Sequence, residues 1–468
     1  MVNNYRPEKI EVDGIYIFNY NREVTSDIKQ QLVDFNIYED IYSPTMSFDA
    51  TMTDSNGLIE RFPFVGEELV AVSFRIPTDK KTFQKIFSIY KVSNRKEQGE
   101  RNEVYTLHGI SLEAVVNMNS TVDNSFVGRP FSEIVKSVYK EYFNNSTKKT
   151  AGKPFLTYDK NLFVEETFGN HSIVSPLSTP FDFIKYCAKH SQSPKYVESD
   201  YVFFENDDGF NFRTISSLLE QDPVEDYYLS DPAAKRDQNS KVKEHQIIRS
   251  LSYDEFEFDT MESMASGLYD NEVSVIDPVL KRFQSTSLNY HYTKNFTNVN
   301  KNKSSFTNRN KFTSNFSIYK DFDGSSHARY IVSNLSNKAY NQTSYIKDRS
   351  ESDPVAQYPF VRHKFLNHLV SKLSQVNTKF TLNMVIPGDP NRKVGDIIRL
   401  FVPQRSASQE FTKQYNFLYG EKEPRFLVTA VHHNYAYEDD TYMTTLEIVK
   451  DCLGQDVFTP GGAEGYNG

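Results

Sequence analysis

Residues 46–54 read Met46-Ser47-Phe48-Asp49-Ala50-Thr51-Met52-Thr53-Asp54, with apolar and polar side chains in strict alternation. Successive side chains of a strand point to opposite faces, so a period of two marks a strand with one face in a core and one in water. The stretch before it, Val33-Asp34-Phe35-Asn36-Ile37-Tyr38, has the same period, and Ser55-Asn56-Gly57 supplies a turn. Upstream, Ile10, Val12, Ile15, Ile17 and Phe18 open another strand-like stretch. Downstream, 69–76 reads as a strand stopped by Pro77, and 83–92 and 104–110 read as hairpin arms around polar 93–103. Short strands at this spacing predict a small β-barrel or sandwich over residues 1–115.

The period then changes. Phe131, Ile134, Val135, Val138 and Tyr142 fall on one face of a helix, with Pro130 in its first turn. Pro180 opens a second helix, with Phe181, Ile184, Cys187 and Ala188 on its apolar side. Residues 201–205 and 210–212 form a hairpin around Asn206-Asp207-Asp208-Gly209. Residues 116–240 are therefore assigned to an inserted α+β domain, with polar 221–245 reading as a linker. Strand patterns return at 247–258, 380–386, 396–402, 426–431 and 442–449, and 358–373 reads as a helix.

Two places share a plan. Val65-Gly66-Glu67-Glu68 precedes a strand ending at Ile76-Pro77, and Val394-Gly395-Asp396 precedes one ending at Val402-Pro403. A spacer, a strand, a polar hairpin and a final strand follow in each case. The order of elements predicts two copies of one barrel: the first at 1–115, the second at 241–285 with 376–452. The fold class is thus α+β but mainly β, with two similar tube-like barrels, an inserted α+β domain, a second, Asn/Lys-rich insertion with a helix over 286–375, and a flexible Gly-rich tail over 453–468.

Composition narrows the function. The 468 residues carry 53 basic and 62 acidic side chains, a formal net charge of −9, which argues against a general nucleic-acid binder. Only Cys187 and Cys452 occur, so a disulfide framework and a four-cysteine zinc site are excluded. No apolar run approaches the roughly 18 residues that span a bilayer, and polar 1–9 is unlike a signal peptide; synthesis in a cytoplasm is expected. Residues 291–320 hold Lys294, Lys301, Lys303, Arg309, Lys311 and Lys320, interleaved with Phe296, Phe306, Phe312 and Phe316, and no acid. Such a stretch could stack on single-stranded nucleic acid, but in an acidic chain it reads as a surface ribbon packed on a partner subunit.

No catalytic, cofactor-binding or metal-ligating residue is nominated. G-x-S-x-G, P-loop and G-x-G-x-x-G strings are absent. His432-His433 are strand neighbours and point to opposite faces, so they do not chelate one ion. The acidic pairs Glu67-Glu68, Asp207-Asp208 and Asp439-Asp440 sit at turns or strand entries, where carboxylates accept backbone N–H bonds.

Several strings in fixed order carry a resemblance: Asp34-Phe35-Asn36-Ile37-Tyr38-Glu39-Asp40-Ile41-Tyr42-Ser43-Pro44; Thr51-Met52-Thr53-Asp54-Ser55; Phe64-Val65-Gly66-Glu67-Glu68; Pro180-Phe181-Asp182-Phe183-Ile184; Asp208-Gly209-Phe210-Asn211-Phe212-Arg213; Gly267-Leu268-Tyr269 with Asp277-Pro278; Pro387-Gly388-Asp389; and Phe426-Leu427-Val428-Thr429-Ala430-Val431-His432-His433. Over roughly 30–452 the series resembles the baseplate hub proteins of T-even-like contractile-tailed phages, relatives of the N-terminal part of VgrG-type spike proteins. The resemblance implies a non-enzymatic virion protein, without cofactors, located in the phage tail baseplate. It implies a homotrimer whose six barrels adapt the hexameric tail tube on one face to the trimeric central spike on the other, and which nucleates tube assembly. Baseplate wedge proteins would contact the insertions, and DNA would pass the channel without specific binding. The alternative is a β-rich cell-wall hydrolase or glycan-binding adhesin of a phage tail.

Overall fold

The computed structural model of the chain describes residues 10–19, 24–61, 64–66, 68–75, 82–99, 102–143, 160–196, 200–229, 244–255, 270–277, 282–289, 328–333, 381–402 and 424–450. The helix read at 358–373, the basic ribbon at 291–320, Gly267-Leu268-Tyr269, Cys452 and the tail at 453–468 lie outside them.

The alternating stretches all form strands. β1 (Glu11–Phe18), β2 (Val24–Asp27), β3 (Leu32–Asp40), β4 (Ser47–Asp54), β5 (Leu69–Arg75), β6 (Thr82–Glu97) and β7 (Glu103–Ser111) lie side by side in the order β3-β4-β7-β6-β5-β1-β2, every pair antiparallel. After β4, Asp54 turns the chain by accepting from the N–H groups of Asn56 (2.9 Å) and Leu58 (2.5 Å), which starts the one-turn helix α1 (Leu58–Arg61). The polar stretch 93–103 is mostly strand rather than loop, because β6 runs on to Glu97. Backbone pairing to β7 and the two-pronged Arg95–Glu103 ion pair (2.8 and 2.9 Å) hold it where it has no core to face.

The helix α2 (Leu112–Met118) leads into a separate α+β unit. There β8 (Ser125–Arg129) pairs with β10 (His171–Val174), and β9 (Asn161–Val164) lies parallel to β12 (Gly209–Thr214), which pairs with β11 (Tyr201–Asn206). The helices α3 (Phe131–Tyr142) and α4 (Pro180–His190) pack together and bury the predicted faces: Ile134, Val135, Val138, Ile184 and Cys187 are fully buried. Pro130 stands just before α3, not inside its first turn. Thr179 caps α4, accepting from Asp182 N–H. The short helix α5 (Ile215–Leu219) follows β12. The stretch read as a linker holds β13 (Glu225–Tyr228), which is anchored by fully buried Tyr227 and lies parallel to β19 (Ile397–Phe401).

β14 (Ser250–Glu255), β18 (Thr381–Pro387), β19, β20 (Arg425–Ala436) and β21 (Thr441–Val449) complete the second half, in the order β14-β18-β21-β20-β19-β13. β15 (Asp270–Asp277), β16 (Arg282–Asn289) and β17 (Ala328–Ser333) form a small sheet of their own. The two halves join through β3 and β20 into one 13-stranded sheet. Among the described residues no helix is long and apolar enough to cross a membrane.

The repeat extends to the register. Phe48, Ala50 and Met52 of β4 lie opposite Gly109, Leu107 and Tyr105; Leu382, Met384 and Ile386 of β18 lie opposite Ile448, Leu446 and Thr444. All six of these β4 and β18 side chains are fully buried, and the five larger than Ala50 each contribute about 1.5–3 kcal/mol by leaving water. The turn before β5 and that before β19 also match. Gly66 has φ 92° and Gly395 φ 91°. The Glu68 carbonyl accepts from Ile89 N–H and the Asp396 carbonyl from Val428 N–H, both at 2.9 Å. Ile89 and Val428 each precede an irregularity in the ladder, between Ile89 and Lys91 and between Val428 and Ala430.

A side chain at either glycine forces an unfavourable backbone, worth about 1–2 kcal/mol. At Gly66 a Cβ meets nothing within 4 Å, whereas at Gly395 it meets Phe204 at 3.3 Å and Leu218 at 3.4 Å. Urea unfolding should therefore show Gly395→Ala to be more destabilising than Gly66→Ala, with both below the parent chain.

Candidate functional site

Two regions gather the polar chemistry of the described residues. The first is the seam between the halves. One edge of β20 serves two partners: residues 425–427 pair with β19 and residues 430–436 with β3. Thr429 sits at the changeover, its hydroxyl donating to Glu447 (2.6 Å) and its carbonyl accepting from Ile41 N–H (2.9 Å). Beyond it the Tyr38 and His432 rings stack at 4.5 Å, and Asn36 Oδ1 meets His432 Nε2 (2.8 Å) and Asn434 Nδ2 (2.7 Å). Burial pulls His432 below its ordinary pKa. His433 points the other way, into the core, against the Tyr442 hydroxyl (2.9 Å), and burial pushes it down to about 3. The two histidines thus face apart, as their strand placement predicts.

The second region is the tip of the β11–β12 hairpin, wedged against both halves. Asp207 pairs with Lys85 of β6 at 2.5 Å, and Asp208 pairs with Lys393 beside the second turn. Asn206 Nδ2 donates to the Val394 carbonyl (3.1 Å). Behind the tip, buried Glu205 accepts from Met46 N–H (3.0 Å) and pairs with Lys160, which also reaches Glu113 at 2.7 Å. Burial alone lowers the Lys160 ammonium, but Glu205 and Glu113 outweigh it and hold Lys160 above the ordinary lysine value. Burial likewise raises Glu113, against the pull of Lys160. Glu39, from β3, accepts from Val394 N–H at 3.1 Å. Burial lifts Glu39 to about 8, with Lys85 and that N–H bond opposing and Asp207 and Glu205 adding.

The sequence-flagged acids resolve into structural roles. Glu68 accepts from Val65 and Gly66 N–H at 2.9 Å each, forming the first turn. Asp440 lies in the β20–β21 turn with φ 48°, accepting from the Tyr435 hydroxyl at 3.3 Å. Burial raises the Cys187 thiol well above the range of a reactive thiolate. Among the described residues no cluster of three or more His, Cys, Asp or Glu is placed to hold a metal ion. A cavity of about 620 Å³ opens among Glu165, Lys195, Tyr196, Arg213 and Glu220, where Lys195 and the Tyr196 hydroxyl both already meet Glu220, at 2.6 and 2.5 Å.

One constellation escapes sequence reading altogether. Ser93 Oγ lies 2.6 Å from His108 Nε2, and His108 Nδ1 lies 2.5 Å from Asp49 Oδ1. The order of groups is that of a Ser-His-Asp relay, drawn from β6, β7 and β4. Acyl transfer needs that relay in a water-shielded site with oxyanion donors. Here the relay stands on an open sheet face, with Asn94, Arg95 and Lys96 beside Ser93 all exposed. We read it as a polar network tying three strands together.

Two measurements follow. A fluorophosphonate probe should leave Ser93 unlabelled, and stoichiometric labelling abolished by His108→Ala would restore the hydrolase alternative. Glu39, raised from 4.5 to about 8 on folding, contributes stability that is fully present below pH 4.5 and is lost as pH rises through 8. Glu39→Gln should flatten the fall in melting temperature between pH 5 and 8, measured by differential scanning calorimetry against the parent.

No protein-family model matches the chain, and no curated protein matches its sequence. Solved structures do match. The 43 kDa tail protein of prophage MuSo2 from Shewanella oneidensis aligns at TM-score 0.47 and 8% identity, over 95% of this chain and 98% of that one. The E. coli c3393 protein, a type VI secretion component similar in structure to the T4 tail proteins gp27 and gp5, aligns at TM-score 0.38 and 10% identity, over 97% of this chain and 80% of that one. The tail protein from Neisseria meningitidis MC58 aligns at TM-score 0.50 and 11% identity, over 94% of this chain and 96% of that one. The chain shares the fold of that tail protein, in line with the hub resemblance read from the ordered strings.

Proposed function

We propose that this chain is a structural protein of a phage-type tail baseplate: a trimeric hub that adapts the hexameric tail tube to a trimeric central spike and nucleates tube assembly. The observation that carries the reading is the repeat of one strand plan, register and ladder irregularity included, in two halves joined edge to edge. Two equivalent units per chain give a trimer six equivalent units, the number needed to seat a six-fold ring. The fold shared with the Neisseria tail protein supports the tail setting.

On this reading each half is a tube-like barrel. The 116–240 unit is an insertion that braces the barrels, and 286–375 is a second insertion facing wedge or spike proteins. The chain is made in the host cytoplasm and works in the virion. DNA passes without specific recognition, and an overall charge of −9 disfavours its retention. The work is mechanical and needs no cofactor.

The test is light scattering with negative-stain electron microscopy of the purified chain, alone and mixed with tail-tube and spike proteins from the same source. The expected result is a particle of three times the 54.2 kDa chain mass, a holed ring of six lobes. Single chains that persist with both partners present would overturn the proposal.

A further inference from the structure

The seam that joins β20 to β3 has an unused twin. By the pairings above, β20 corresponds to β6, with Val428 matching Ile89, Thr429 matching Tyr90 and His432 matching Ser93. The segment of β6 before its irregularity carries β5, as that of β20 carries β19. The segment beyond it on β20, residues 430–436, carries β3. The matching segment of β6, residues 91–97, pairs with β7 on one side, and among the described residues no strand lies on the other.

The strand that would fill the place is also in the chain. β3 pairs with β4 as β14 pairs with β18: Asp34, Phe35 and Asn36 lie opposite Thr51, Ala50 and Asp49, and Ser250, Leu251 and Ser252 lie opposite Val385, Met384 and Asn383. β14 ends the sheet, with β18 its only strand partner among the described residues. Among the described residues one chain thus has an open copy of each side of the seam, separated in the strand order by β18, β21, β20, β3, β4 and β7.

We infer that residues 91–97 of β6 pair antiparallel with β14 of a second copy of this chain, so that the seam inside one chain is repeated between chains. The inference rests on the trimeric reading above and names the strands that close the ring. Exposure agrees. At the filled seam Thr429 is 2% exposed and Val431 1%, whereas their counterparts are open, Tyr90 at 56% and Val92 half-buried. A bare edge this long is a template for another strand unless something covers it. The sequence charge pattern suits a copy of this chain as the occupant: residues 91–97 hold Lys91 and Lys96, both exposed, and Arg95, which Glu103 already holds, against one acid, Glu97, and the sequence of β14 closes on Asp254-Glu255. The register follows from His432 opposite Tyr38, which places Ser93 opposite Glu255 of the neighbour. Asn94, at φ 56°, opens a second irregularity that β20 lacks, so the match is tightest at Val92 and Ser93.

The test is the full chain carrying Cys452→Ser with Ser93→Cys and Glu255→Cys, oxidised or treated with a short bismaleimide, beside each single cysteine variant. Non-reducing gels should show covalent dimers and trimers for the pair and neither for the singles. A second variant, Lys91→Glu with Lys96→Glu, should weaken self-association at least tenfold, whereas Lys136→Glu, exposed on α3, should leave it unchanged. A trimer by light scattering that neither cross-links nor responds to charge reversal overturns the strand pairing and leaves the hub reading standing. A chain that stays single with tube and spike proteins present overturns both.

Discussion

A single residue of slack in β20 decides the architecture. A strand edge offers one row of N–H and C=O groups, and an uninterrupted strand would commit that row to one partner. The irregularity at Thr429 lets β20 leave β19 and take up β3. Such a bulge bends the strand and sharpens its twist, while the ladder along this edge passes from β19 to β3. The halves are therefore welded through backbone bonds, whose geometry tolerates little slip, because a one-residue shift would turn every side chain to the wrong face.

The α+β unit reinforces this weld with charge. Its hairpin tip gives one carboxylate to each half, Asp207 to Lys85 and Asp208 to Lys393. Behind it, Glu39 of the first half caps Val394 N–H of the second, and Glu205 caps Met46 N–H of the first. Buried carboxylates are poor sources of net stability, since desolvation offsets much of their attraction, but an unmatched one is costly. Their effect is directional: only one placement of the hairpin satisfies Glu205, Lys160 and Glu113 at once. The α+β unit thus bridges the two halves that the seam joins in register.

How far the sequence discloses this depends on range. The alternation at 46–54 is local, and it identifies β4 directly. The order of elements around Val65-Gly66 and Val394-Gly395 reveals the repeat, because a left-handed glycine followed by an acid is a local necessity of the turn before β5 and β19. The seam stays hidden, since Asn36 and His432 are 396 positions apart and nothing in either stretch names the other. β13 is missed because Glu225-Asp226-Tyr227-Tyr228 looks like a polar linker and only Tyr227 is fully buried. α2 is missed because its buried residues include Glu113 and Asn117, the reverse of an apolar face. The Ser93-His108-Asp49 relay comes from three strands and leaves no string to find.

The two halves differ in the strand that flanks β5 and β19 and in β2, which continues the first half beyond β1. β1 runs antiparallel to β5, whereas β13 takes the corresponding place beside β19 but runs parallel to it. The inner strands have no such liberty: each must fit the ladder of its own half and, at the seam, that of the other. Among the described strands β13 pairs with β19 alone, so its reversed direction disturbs no ladder further in. The difference between the halves thus lies beside the shared strand plan, where each half can carry its own attachments while the joined sheet stays locked.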